Sequence, residues 1–86
     1  MELHDLKSKW TEILDRLERR NRIAWLAYFD ARLSALQEGV LRLDFRDSAK
    51  LAGGHDLGMA RKPEHRTALE EIIEEVTGEK VRIEEV

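Results

Sequence analysis

The sequence predicts an α+β domain in which helices cover one face of a small sheet. Three observations predict it. Apolar residues recur at steps of three and four over residues 3–20 and again over 63–78, the period of a helix with one buried side. They alternate with charged residues over 41–46 and 80–86, the period of a half-buried strand. Glu38-Gly39, between two apolar runs, marks a tight hairpin turn in which glycine supplies a positive φ.

Each element follows from its own residues. Over residues 3 to about 20, Leu3, Leu6, Trp10, Ile13, Leu14 and Leu17 share one helix face. Lys7, Lys9, Glu12, Asp15, Arg16, Arg19 and Arg20 take the other. Glu12–Arg16 and Asp15–Arg19 have the spacing of helical ion pairs, each contributing ~0.2–0.5 kcal/mol. Asn21 suits both a helix end and a helix start, so a break is expected at 20–22. The short helix "RIAWLAYFD" follows. It is apolar nearly all round, so it is either wedged inside the fold or keeps one face for a partner.

A strand is expected over about 32–37. Leu33 and Leu36 have opposite parity there, which requires a bulge or a short helical start. After the turn, Leu41, Leu43 and Phe45 point inward while Arg42, Asp44 and Arg46 point outward. The stretch "GGHDLGMARKPEH" gathers three glycines, two histidines and the only proline. It reads as a flexible connector ending in a helix that starts at Pro63, where the missing N–H is harmless. Leu69, Ile72, Ile73 and Val76 form that helix's stripe, and Gly78 is its C-cap. In "KVRIEEV", Val81 and Ile83 face inward and Lys80, Arg82 and Glu84 outward. The hairpin gives an antiparallel pair, and the last strand must join one of its edges.

The chain of 86 residues is read as a single domain over 1–86. A chain of this size buries only ~60–65% of the surface its unfolded form exposes, leaving little room for an enclosed active site. No apolar run approaches the ~18 residues of a membrane span. There is no cysteine, hence no disulfide and no thiolate metal site, and a cytoplasmic location fits. Charge is unevenly spread. Residues 1–62 carry twelve Lys and Arg against ten Asp and Glu, and residues 63–86 carry three against eight. The pattern favours a protein partner over nucleic acid, which calls for a strong basic patch.

No chemical motif is complete. "GGHDLGMARK" lacks the Lys-Ser/Thr ending of a phosphate loop and has no GxxG for gripping RNA. His4, His55 and His65 do not cluster with the carboxylates a metal needs and are expected in solvent. Ser8, Ser34 and Ser48 have no nucleophile elbow around them. Glu70, Glu71, Glu74 and Glu75 read as the solvated face of a helix. No catalytic residue, cofactor or metal is therefore expected.

Two groups remain as candidates for binding a partner. Arg16, Arg19 and Arg20 ride adjacent turns of the first helix and Arg22 follows the break. They could bind phosphates or an acidic partner peptide, or pair with Glu12 and Asp15 on their own helix. Trp25, Tyr28 and Phe29 lie on the short apolar helix, where surface aromatics would anchor a protein partner and buried ones would fill the core.

The element order, with "KWTEILDRL", "RIAWL", "GVLRLDF" and "KPEHRTALEEIIEEVTGEKVRIE" inside it, resembles a known family. It is the domain that closes the bacterial DNA polymerase III clamp-loader subunit gamma/tau. The pattern is also similar to the N-terminal domain of the replication initiator DnaA. The resemblance implies a KH-like fold, α-α-β-β-α-β, with a three-stranded sheet and helices on one face. It implies a protein-docking role in the replisome, with the polymerase III alpha subunit or another replication protein as partner, and a parent chain longer than this one. A KH-like nucleic-acid-binding module, or an initiator-type domain that docks a helicase, is the alternative. The chain departs from the pattern in "KLAGGHDLGMA", which is more helical in the family.

Overall fold

A computed structural model of the chain describes residues 1–45 and 62–85. In order along the chain stand α1 (Leu3–Ser8), α2 (Trp10–Arg20), α3 (Arg22–Tyr28), β1 (Arg32–Gln37), β2 (Val40–Asp44), α4 (Pro63–Thr77) and β3 (Arg82–Glu85). The α+β class is as expected: helices pack against a three-stranded mixed sheet in the order β1-β2-β3. The central strand pairs antiparallel with β1 and parallel with β3.

The expected single helix over 3–20 is two. Lys9 leaves the helical region at φ −108°, ψ 2°, between α1 and α2. Around it the bonds close three residues back. The Lys9 N–H donates to the Leu6 carbonyl at 3.0 Å and the Ser8 hydroxyl donates to the Asp5 carbonyl at 2.7 Å. A serine near a helix end offers the backbone this competing bond. The apolar stripe survives the break, because Leu6, Ile13 and Leu17 are all fully buried.

Asn21 serves as both end and start. Its N–H donates to the Leu17 carbonyl at 2.8 Å, closing α2, and its side-chain oxygen accepts the Ala24 N–H at 3.1 Å, opening α3. The hairpin turn has Glu38 at φ 53° and Gly39 at φ 75°. Two positive φ values in a two-residue loop are the mark of a type I′ turn, whose twist matches that of the strands. Glycine adopts this freely and glutamate does not. The opposite parity of Leu33 and Leu36 is resolved by a register shift between Leu33 and Ala35, a bulge at Ser34.

Pro63 opens α4, and Gly78 closes it in the left-handed conformation at φ 80°. Leu69, Ile72 and Ile73 face the core together with Leu41 and Leu43 of β2. Val81 and Ile83 complete that wall, 5% and 7% exposed. Arg42, Arg82 and Glu84 stand on the opposite, wet side, with Arg42 donating to Glu84 at 3.3 Å. His65 departs from expectation. It is 8% exposed, buried on the α4 side that carries Leu69, Ile72 and Ile73. A four-residue step places it there, so its position on the stripe outweighs its polarity. His4 is exposed as expected, while His55, Ser48 and the glycine-rich residues 53–61 lie outside the described residues.

Candidate protein-docking surface

The arginine cluster divides in two. Arg16 pairs with Glu12 at 3.0 Å, the one-turn pair its spacing predicts, and reaches Glu75 of α4 at 4.0 Å. Arg20 crosses fully to α4, bonding Glu71 through one nitrogen and Glu75 at 3.2 Å through the other. These side chains are about half exposed, so each bridge contributes no more than ~1 kcal/mol. Their effect is geometric: they clasp α2 to α4 over Ile72, beside a shallow hollow of about 250 Å³. Glu71 and Glu75 are thus partners of the arginines, and only part of the glutamate run is simply solvated. The opposite net charges of the two parts of the sequence were the signal for this pairing. Arg19 and Arg22 take part in no ion pair among the described residues.

The aromatic group divides as well. Tyr28 is fully buried, its ring 6.1 Å from that of Phe45 and tilted by 54°. It belongs to the core and offers nothing to a partner, which corrects its assignment as a surface anchor. The physical reason is the small residues around it. Ala24 and Ala27 are also fully buried and lie on the same side of α3. Two alanines let α3 approach α2 and α4 closely, and the tyrosine ring fills the space beside them.

The other side of α3 is turned out. Trp25 and Phe29 stack at 4.8 Å with their planes 20° apart, both half-buried, Trp25 packed against the core. Ile23 is 57% exposed and Leu26 41% exposed. At 100° per residue, Arg22, Leu26 and Phe29 centre the outward stripe, with Ile23 on one flank and Trp25 on the other. Arg19 stands near the end of α2, across the break at Asn21, and lines the hollow beside Ile72 with Arg16 and Arg20. Sequence reasoning chose the aromatics and missed Ile23 and Leu26. For Leu26 the signal was its position opposite Ala24 on the helix.

No family model, no curated protein and no solved structure matches the chain.

Among the described residues no three His, Asp or Glu side chains come together as metal ligands. The Ser8 hydroxyl is engaged by the Asp5 carbonyl. No helix of the described residues is long and apolar enough to cross a membrane. Ile23 and Leu26 lie exposed on the helix that begins with Arg22.

Proposed function

We propose that the chain is a non-enzymatic docking domain that takes a protein partner on the outward face of α3. The observation that carries this is the exposure of Ile23 and Leu26 on α3, which begins with Arg22, while Arg19 stands near the end of α2 before the break. Fully burying a large aliphatic side chain is worth about 1.5–3 kcal/mol. Covering the exposed parts of Ile23 and Leu26 therefore contributes roughly 1 kcal/mol each, before Phe29 and Trp25 are counted. The two arginines select a segment with Asp or Glu beside its apolar residues, since their forks pair well with carboxylates.

The sequence resemblance to gamma/tau and initiator domains supports reading this docking as a role in the bacterial replisome, in the cytoplasm. The polymerase III alpha subunit is the first partner to test and the replicative helicase the second. Leu26→Ser and Arg22→Glu are the informative variants. Each should weaken capture of the partner about five- to thirtyfold, the effect of 1–2 kcal/mol, while leaving the fold intact. Undiminished binding by both would reject α3 as the surface.

The second reading, a nucleic-acid-binding module, has one observation in its favour: Arg19 and Arg22 are unpaired. It has the clasp against it, since Arg16 and Arg20 are committed to glutamates. It predicts affinity for single-stranded DNA or RNA that falls steeply with salt. Absence of binding at low salt would retire it.

A further inference from the structure

Among the described residues strand β3 is an edge of the sheet, and an edge presents unpaired backbone groups to any strand that approaches. The Arg82 N–H points inward to the Gly39 carbonyl at 2.8 Å. Backbone groups alternate in direction along a strand, so the N–H and C=O of Ile83 both point outward. That N–H is already taken. It donates to the Glu70 carboxylate of α4 at 2.9 Å. A side-chain oxygen thus occupies the place where the carbonyl of a fourth strand would bind. Beside it runs an open cleft of about 540 Å³ between α4 and β3, lined in part by Glu71, Glu74, Lys80 and Arg82.

We propose that Glu70 is a latch on this edge, and that releasing it lets a second copy of the chain add antiparallel across β3. The residues around Ile83 make the seam self-complementary. With Ile83 opposite Ile83 of the second copy, the two residues exchange both backbone bonds, as a hydrogen-bonded antiparallel pair does. The same register sets Arg82 of each copy opposite Glu84 of the other, on the wet side of the sheet. That pair is non-hydrogen-bonded, the type in which side chains come closest. In the single chain Glu84 already accepts from Arg42, so it would sit between two cations. Ile83 keeps its place in the core throughout. Glu71 and Glu74 add to the closure, because joining two copies brings their acidic rows towards each other. This seam is separate from the α3 face and does not depend on it.

Sedimentation equilibrium of the 86-residue chain and its variants tests the latch. The wild type and Glu70→Gln stay monomeric, since the amide oxygen of glutamine still accepts the Ile83 N–H. Glu70→Ala forms a dimer whose population rises with concentration. Adding Arg82→Glu returns it to monomer by opposing two carboxylates, and adding Glu84→Arg as well restores the dimer. A folded Glu70→Ala variant that stays monomeric at its solubility limit overturns the proposal. So does a dimer indifferent to Arg82→Glu, or one that the wild type and Glu70→Gln form equally well. A readout on the wild type guards against a variant that fails to fold. The latch requires the Ile83 amide to exchange its hydrogen about tenfold or more slower than in the unfolded chain. Exchange at the unfolded rate contradicts it.

Discussion

Replacing Tyr28 by alanine separates core from surface on α3. Tyr28 is fully buried and packs near Phe45, so the change removes a whole ring and leaves a cavity. Large aromatic-to-alanine changes in cores cost about 3–5 kcal/mol. A chain of 86 residues has a total stability of roughly 4–13 kcal/mol at 0.05–0.15 kcal/mol per residue. Tyr28→Ala should therefore lose about a quarter of it or more. Leu26→Ser is the matched control two residues away, on the exposed side. It should cost under about 1 kcal/mol, as surface changes do. Urea unfolding followed by far-UV circular dichroism measures both, with the slope held common so that the midpoint reports stability. A Tyr28→Ala cost below about 1 kcal/mol, or a Leu26→Ser cost equal to it, would refute the assignment of the two faces.

Three further changes probe the elements that position this helix. Glu38→Asn should raise stability by about 0.5–1 kcal/mol, because asparagine tolerates the left-handed conformation Glu38 adopts; a loss in urea midpoint would contradict the type I′ turn. Asn21→Ala removes the cap that accepts the Ala24 N–H and should cost about 1 kcal/mol, read as a lower thermal midpoint. Arg20→Ala breaks the clasp to Glu71 and Glu75, yet these groups are half exposed, so the loss should stay below about 1 kcal/mol and shrink further in high salt. A much larger, salt-insensitive loss would mean that the clasp acts through packing of the arginine stem.

The fold was legible wherever local chemistry decides. Period alone places β2 and α4, and Pro63, Gly78 and Gly39 are explained by the φ each position requires. Even the bulge at Ser34 was written in the parity of Leu33 and Leu36. The break at Lys9 was not, because the apolar stripe runs straight through it and only hydrogen bonds at Ser8 reveal it. Side chains whose place depends on distant elements were harder. His65 reads as polar until its position on the α4 stripe is weighed. Arg16 has Glu12 one turn away in sequence and Arg20 has no carboxylate at that spacing, but α4 brings Glu75 within reach of both and Glu71 within reach of Arg20. Tyr28 was chosen as an anchor because aromatics at a surface bind partners. Ala24 and Ala27 show instead which side of α3 lies against the body. Of the three aromatics named on that helix, the structure buries Tyr28 and leaves Trp25 and Phe29 half-buried beside the exposed Ile23 and Leu26.

The central claim is that the outward face of α3 is where a partner is held. Isotope-labelled chain titrated with the polymerase III alpha subunit, and separately with the replicative helicase, tests it by amide and side-chain NMR. The account predicts shifts concentrated at Arg19, Arg22, Ile23, Trp25, Leu26 and Phe29 for one of the two. Shifts confined to the wet face of the sheet, around Arg42 and Glu84, would contradict it.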